Sequence, residues 1–370
     1  MMRSRISKQE QGFTLVELLI AMAVSSIVLL AVFSLFWAQQ RSFKQQSELA
    51  RNQAQLRAAL HMVARDIRMA GYSGIALGFD REPTLYPIRP WPMEGTTVVL
   101  DDGTLLPDDP KYGQSEAIEV WGNFLRETTT IAGQHLGGSN TITINNPGLL
   151  VDQYVKRILI GNESVVSYHE ITAVSGGDTV GTFTINPPLP VPIADSDVVA
   201  PIIRRIFFVK QEDRTSGALT EPVNFLVRRT YVADPTKPLN TRYAATNTCF
   251  IDEELGDHID YLNVRYNLVE LNPDNKPNGN VDTSPDTAGS QTNNPSNPCR
   301  ISSIELQLVS KTWGPLTAQG QKGNVPLTLD HVQKIQPRNI GLSNYVCSAT
   351  PALTAWIEIS CPTSGTTFGL

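Results

Sequence analysis

One long apolar segment near the N-terminus limits what this chain can fold into. From Leu18 to Ala38 there are 21 residues without a charge, interrupted only by three hydroxyl side chains, Ser25, Ser26 and Ser34. As an α-helix this run covers roughly 31 Å, which is the hydrocarbon thickness of a bilayer. The sequence therefore predicts a helix that crosses a membrane.

Glu17 stands immediately before this segment and is its most informative residue. No other charge occurs between Glu10 and Arg41. A carboxylate at membrane depth costs about 3 kcal/mol on insertion scales, and such a charge is retained where a partner neutralises it. We therefore expect Glu17 to pair with a positively charged group.

The leader before Gly12 predicts the orientation of the helix. It carries three basic residues against one acidic residue, Glu10, and positive charge on this side keeps the N-terminus in the cytoplasm. A secretory signal peptide would have an apolar core of about 7–15 residues before a small-x-small cleavage site, which is shorter than the run found here. A plain membrane anchor would explain the orientation but not Glu17.

A short motif joins the leader to the apolar run, and it reads Gly12-Phe13-Thr14-Leu15-Val16-Glu17-Leu18. Together with the basic leader and the apolar helix, this motif resembles the N-termini of type IV pilins and type II secretion pseudopilins, over about the first 40 residues. The resemblance implies that a membrane-embedded prepilin peptidase cuts after Gly12 and that the new N-terminus, Phe13, is N-methylated. It also implies that Glu17 pairs with the N-terminal amine of a neighbouring subunit.

The helix is expected to continue well beyond the membrane segment. Gly71 is the first helix-breaking residue after the motif and is a plausible C-cap. Many major pilins carry a proline in the membrane half of this helix, whereas the first proline here is Pro83, which disfavours the major subunit. Apolar residues at helical spacing predict one face that packs against a globular head, namely Leu49, Leu56, Leu60, Val63 and Ile67.

The remainder of the chain reads mostly as β-strands. Short segments that alternate apolar and polar residues recur between residues 116 and 311 and are separated by clusters of Gly, Pro, Asn and Asp. The segment 255–268 fits either a helical turn or a strand. The predicted fold class is α+β, a pilin-like long N-terminal helix packed on a mostly antiparallel β head with elaborated loops. Its parts are a leader (1–12), a helix (13–71, with the transmembrane segment at about 13–38) and a periplasmic or extracellular head (72–370).

The late part of the head carries a second resemblance. Residues Leu255 to Tyr266, followed by a polar loop and the Ile301–Lys311 strand, resemble the large minor pilins of the PilW type. They are also similar to the J-type pseudopilin, which usually has a smaller head, so size favours the pilus protein.

These resemblances imply a minor pilin that primes type IV pilus assembly and sits at or near the pilus tip. The implied location is the inner membrane, with the head in the periplasm, and then the pilus. The implied partners are the prepilin peptidase, other minor pilins, the major pilin, the inner-membrane assembly platform, an adhesin at the tip and inner-membrane lipid. The alternatives are the J-type pseudopilin and a membrane-anchored periplasmic enzyme or receptor.

The four cysteines all fall in the last third of the chain. An extracytoplasmic head allows disulfides to persist, and we expect Cys249–Cys299 and Cys347–Cys361, with free thiols as the alternative.

Within a polar loop predicted at 272–298, oxygen-bearing side chains at Asp274, Asn278, Asn280 and Asp282 weakly resemble a calcium loop. Lys276 occupies a position that should carry an oxygen, and no glutamate closes the site, so the loop is expected to be solvated and no cofactor is expected.

No enzyme motif occurs in the sequence, and we expect a protein without catalytic residues. There is no GxSxG, HExxH or P-loop pattern, and the five histidines are widely scattered. A formal net charge of −6 argues against broad nucleic-acid binding. The arginine pairs 204–205 and 228–229 are interpreted as strand-edge charges or a local basic patch, and Glu116 and Glu119 as surface residues at a strand end.

Overall fold

A computed structural model describes residues 14–75, 87–91, 100, 106–109, 113–162, 165–216, 219–244, 248–271, 277–281, 301–312, 327–336 and 359–360. The described part divides into two compact units, Met1–Asn52 and Gln53–Leu370. The boundary lies within the first helix, α1, which runs from Leu15 to Met69.

The helix α1 is 55 residues long because nothing in it favours another conformation. It contains no glycine or proline, and most of its residues are good helix formers. It ends as the sequence predicts, with Gly71 in the left-handed region at φ +77°. The N–H of Gly71 donates to the carbonyl oxygen of Trp121 at 2.9 Å and that of Tyr72 to Met69 at 3.0 Å, which satisfies groups at the helix end.

Among its described residues, the second unit contains the strands and two short helices, α2 (Gly148–Val151) and α3 (Leu239–Arg242). The described strands are β1 (Ile88–Trp91), β2 (Asp108–Asp109), β3 (Gly113–Gln114), β4 (Ala117–Gly122), β5 (Thr129–Thr130), β6 (Thr141–Asn145), β7 (Arg157–Gly161), β8 (Val166–Gly176), β9 (Val180–Asn186), β10 (Val198–Ser216), β11 (Leu219–Ala233), β12 (Thr248–Asp257), β13 (Ile259–Leu271), β14 (Pro277–Val281), β15 (Ile301–Thr312), β16 (Leu327–Ile335) and β17 (Ile359–Ser360). Among the described strands, pairing is antiparallel except between β12 and β17. Together with the long helix α1, this confirms the predicted α+β class.

The larger sheet is organised around the long β10–β11 hairpin. Its row of strands runs β17-β12-β11-β10-β7-β8-β9-β6, and β1 joins it through β4, which pairs with β10. The N-terminal part of β10 also pairs with β5. Ile131, just after β5, bridges to Ile144 in β6, so β5, β10, β7, β8, β9 and β6 close into a small barrel. Isoleucines from several of these strands fill its core.

The second unit also contains a smaller sheet of four strands, in the order β14-β13-β15-β16, and a two-stranded sheet of β2 and β3. The chain passes from the larger sheet to the smaller one at His258, whose φ of +55° makes the turn between β12 and β13. The segment 255–268 is therefore strand on both sides of a turn. Strand β14 lies inside the stretch 272–298 that the sequence predicts to be a loop.

The second half of α1 packs on both sheets. Four residues of the predicted stripe are fully buried there, Leu56, Leu60, Val63 and Ile67, together with three alanines that the stripe does not include, Ala59, Ala64 and Ala70. They contact apolar residues of β1, β4, β10, β11, β12, β13, β15 and β16 in one core cluster. Leu49, the first residue of the predicted stripe, is half-buried.

Candidate processing and assembly site

Glu17 is bound to the start of its own helix. Oε2 of its carboxylate accepts hydrogen bonds from the backbone N–H of Thr14 at 3.0 Å and from the Thr14 hydroxyl at 3.1 Å. The backbone N–H of Glu17 in turn donates to the Thr14 hydroxyl oxygen at 3.3 Å. Each residue thus satisfies a backbone donor of the other, which is the reciprocal arrangement of a capping box.

The sequence contains the motif for this cap, but the prediction from the sequence covers only the pairing of Glu17 with a positively charged group and does not include the cap. Thr14-Leu15-Val16-Glu17 has the Thr-x-x-Glu spacing that places the two side chains at the N-cap and third position of a helix. A carboxylate in the first turn is also favoured by the helix dipole. Glu17 therefore has a local structural role in addition to any pairing with another subunit.

The cap leaves the carboxylate able to bind an amine. A carboxylate has two oxygens with about four lone-pair sites, and the hydrogen bonds from Thr14 both end on Oε2. The predicted processing residues, Gly12 and Phe13, lie outside the described residues. Their roles, and the pairing of Glu17 with an N-terminal amine, stay predictions.

The first unit exposes an almost continuous apolar surface. The large apolar side chains from Leu15 to Trp37 are between 54% and 75% exposed. Each would cost about 1.5–3 kcal/mol in water relative to a buried position, so this surface needs lipid or other helices around it. By length and composition α1 can cross a membrane.

Two of the serines within the apolar run are already satisfied by the helix itself. The hydroxyl of Ser26 donates to the carbonyl oxygen of Ala23 at 2.7 Å, and that of Ser34 donates to Ala31 at 2.8 Å. Because hydrocarbon offers no hydrogen-bond partners, these internal bonds let both serines lie in lipid without an unsatisfied donor.

The second half of α1 is joined to the larger sheet by a group of charged side chains, which we call the Asp66 cluster (Asp66, Arg205, Arg228 and Glu253). Oδ2 of Asp66 accepts from Arg205 at 2.8 Å and from Arg228 at 3.4 Å. Arg228 also binds Glu253, its cross-strand neighbour. The Asp66 side chain is 4% exposed, so the carboxylate joins the helix to β10 and β11 in an environment nearly free of water.

A second buried carboxylate, Glu119 of β4, lies in the same sheet. Its Oε2 accepts from Arg204 at 2.9 Å, and its Oε1 accepts from the indole N–H of Trp121. Arg89 lies 3.8 Å from Oε1. Burial alone would raise the pKa of the Glu119 carboxyl, but Arg204 and Arg89 together with these hydrogen bonds hold that pKa below its ordinary value of 4.5.

The burial of these charged residues corrects their interpretation from the sequence as strand-edge or surface charges. Arg204, Arg205 and Arg229 are buried, as are Glu116 and Glu119, so neither strand-edge charges nor a basic surface patch describes them. The reason is topological, because β4, β10 and β11 are each paired on both sides. Arg228 and Arg229 lie directly opposite Glu253 and Asp252, and such cross-strand pairs of opposite charge are favourable.

We predict that Glu119→Gln weakens the head at neutral pH and flattens its acid denaturation profile. A carboxylate with a lowered pKa contributes stability that is present above its unfolded value of 4.5 and lost as the pH falls through the lower folded value. The amide keeps hydrogen-bonding atoms but loses the charge, so we expect a loss of about 2–3 kcal/mol at pH 7. Urea unfolding of the full chain in detergent at pH 7 and at pH 3 measures both effects. An equal loss at the two pH values would contradict the assignment.

Of the predicted disulfide cysteines, the structure describes Cys249, which is 2% exposed and disulfide-bonded. Cys299, Cys347 and Cys361 lie outside the described residues, so the predicted pairings stay predictions. Asp274 and Asp282 of the calcium loop also lie outside them, and only the backbone of Asn278 and Asn280 is described, in β14. Among described residues, no group of three or more His, Cys, Asp or Glu side chains could hold a metal ion.

The comparisons with known proteins identify the N-terminal segment. Residues 7–33 match the family model of the prokaryotic N-terminal methylation motif. No curated protein and no solved structure matches the chain. The motif supports a type IV pilin-like prepilin, either a pilin or a pseudopilin, and it implies processing by prepilin peptidase and assembly with other pilins. It points to a structural protein rather than an enzyme.

Proposed function

We propose that this chain is a minor pilin that primes type IV pilus assembly and remains at or near the pilus tip. The observation that carries the proposal is the arrangement at the N-terminus. The methylation motif at residues 7–33 overlaps the start of α1, whose large apolar side chains from Leu15 to Trp37 are all exposed. Such a helix suits lipid before assembly and a bundle of like helices afterwards.

In this mechanism, processing creates the partner of Glu17. Cleavage after Gly12 releases a charged amine at Phe13, and neither that amine nor the carboxylate is stable alone at membrane depth. Pairing between subunits removes both penalties, and it does so only when the two helices are in register. Other minor pilins, the major pilin and the assembly platform are the proposed partners of this step, with the N-terminus cytoplasmic before assembly.

The size of the head supports a low copy number. The second unit runs from Gln53 to Leu370, and its described residues include an 11-stranded sheet, part of which closes into the barrel, and a 4-stranded sheet. A head of that size is hard to repeat along a dense filament, and α1 contains no proline in its apolar half, unlike many major subunits. We therefore expect immunogold label at pilus ends, and even label along the shaft would contradict the tip position.

The mature N-terminus tests the proposal most directly. We expect mass spectrometry of the membrane-extracted protein to find Phe13 as the first residue, N-methylated. A bulky replacement such as Gly12→Arg should leave the leader attached and block entry into pili. An unprocessed wild-type N-terminus would reject both the pilin and the pseudopilin and leave a membrane-anchored enzyme or receptor.

The secretion pseudopilin remains the second candidate because the methylation motif is common to both classes. The two candidates differ in what is lost when the gene is deleted. Loss of surface pili with normal protein secretion supports the minor pilin. The reverse result assigns the chain to a secretion system.

A further inference from the structure

The outward side of the second half of α1 is composed of basic and small residues. From Gln53 onward, the exposed residues of the helix are Gln53, Ala54, Arg57, Ala58, His61 and Arg65. At 100° per residue, the last five of them fall within a sector of about 100° on the helix surface. We call these five residues the basic helix face.

The basic helix face contains no carboxylate to balance its charge. The acidic residues of α1 are Glu17, Glu48 and Asp66, and Asp66 is buried on the opposite side in its own cluster. No ion pair joins Arg57 or Arg65 to another residue within the described part of the chain. An array of two arginines and a histidine on a rigid helix can therefore accept a carboxylate-bearing partner.

The basic helix face is opposite in charge to the second unit as a whole. Six of the 30 Lys and Arg residues and three of the 36 Asp and Glu residues precede Gln53, which leaves the second unit with a formal net charge of −9. A head with that charge repels an extended polyanion such as DNA. A short acidic protein segment can instead contact the two arginines alone, so it experiences less of the repulsion from the rest of the head.

We propose that the basic helix face docks an acidic segment of a neighbouring pilin-type subunit. Arginine binds carboxylates through two parallel N–H···O bonds, which strengthen the interaction and also fix the relative orientation of the two groups. Ala54 and Ala58 lie one turn apart, and their small side chains let a second helix approach to about 8 Å between axes. This inference rests on the proposed function, since it names a contact that would hold the heads together once the apolar helices have assembled.

Site-specific photo-cross-linking in piliated cells tests the contact. A p-benzoylphenylalanine at Ala58 of the full chain should cross-link, on irradiation, to an Asp- or Glu-bearing segment of another pilin-type subunit, identified by peptide mass spectrometry. The same probe at Lys237, an exposed loop position, should not give that adduct. A cross-link within the same chain, to lipid or to nucleic acid would overturn the proposal, as would no adduct from Ala58.

Charge reversal separates this contact from general folding. Arg57→Glu with Arg65→Glu should reduce the adduct at least tenfold, while the reversal of another exposed basic residue, Lys237→Glu, leaves it unchanged. Both variants should retain the thermal midpoint of the wild type, because all three side chains are exposed. Reversing the acidic residues in the cross-linked segment should restore the adduct. Undiminished cross-linking by the Arg57→Glu/Arg65→Glu variant would refute the charge pairing.

Measurement of the mature N-terminus in the same samples distinguishes failure of the docking contact from failure of the proposed function. If Phe13 is not the first residue, the pilin assignment itself fails. If the chain is processed and enters pili while the basic helix face gives no intersubunit adduct, only the docking contact fails.

Discussion

Glu17→Ala is expected to leave membrane insertion and processing intact while reducing incorporation into complexes with other pilins by at least about a hundredfold. The variant removes the one charge that could neutralise the Phe13 amine of a neighbour. Leaving one member of a buried ion pair unpaired costs about 3–5 kcal/mol, and each 1.4 kcal/mol is tenfold in an association constant. Quantitative co-purification of partner pilins, normalised to processed protein in the membrane, measures the loss.

The capping box requires a matched variant, because Glu17→Ala also removes the cap. Glutamine can replace glutamate in a capping box, so Glu17→Gln preserves the bonds with Thr14 and deletes only the charge. Thr14→Ala does the reverse, since it removes the hydroxyl contacts and keeps the carboxylate. We expect Glu17→Gln to be nearly as defective as Glu17→Ala, and Thr14→Ala to lose about 1 kcal/mol, or roughly fivefold.

The opposite ranking would assign Glu17 to the helix cap alone. If Glu17→Gln entered complexes as well as the wild type while Thr14→Ala did not, no charged partner would be needed. Recovery of Glu17→Ala in complexes at wild-type levels would remove the assembly role altogether.

The N-terminal helix of this protein is predictable from sequence because its determinants are local. The apolar run, Glu17 and the Gly12–Phe13 junction lie within about 30 consecutive residues. The buried stripe from Leu56 to Ile67 follows from helical periodicity. The helix end at Gly71 follows from the ability of glycine to adopt the left-handed conformation that commonly ends helices. None of these features depends on knowing which distant segments meet.

The buried charges could not be predicted, because they depend on distant contacts. Asp66 is separated from Arg205 by 139 residues and from Arg228 by 162, and the sequence around Asp66 does not indicate which strands supply its partners. Glu119 likewise finds Arg204 through the β4–β10 pairing. The closed barrel is equally non-local, since it depends on the two-residue strand β5 meeting β10 and on one bridge to β6.

Asp66→Ala is expected to produce the largest loss of head stability, about 3–5 kcal/mol. The substitution leaves Arg205 and Arg228 facing each other with side chains 9% and 12% exposed. Glu253 binds Arg228, but its side chain is 49% exposed, so it can offset only part of this repulsion. For a domain whose total stability is of the order of 5–15 kcal/mol, this is a large fraction. Urea unfolding of the full chain in detergent gives the change in free energy, with Glu48→Ala, on an exposed position of the same helix, expected within 0.5 kcal/mol.

A triple variant distinguishes two roles for this cluster. Asp66→Leu with Arg205→Met and Arg228→Leu replaces the three least exposed charges of the cluster by apolar groups and leaves Glu253, whose side chain is 49% exposed. Such replacements of buried ion clusters are often neutral or stabilising. Near wild-type stability in the triple variant, with a severe loss in Asp66→Ala, would mean that the charges select one arrangement rather than add stability. Because Asp66 lies on α1 while its partners lie on β10 and β11, that arrangement is the rotation of the helix against the sheet. Faster hydrogen exchange between Gln53 and Met69 in the triple variant would then follow, since apolar contacts alone tolerate several rotations. A loss below 1 kcal/mol in Asp66→Ala would contradict both roles.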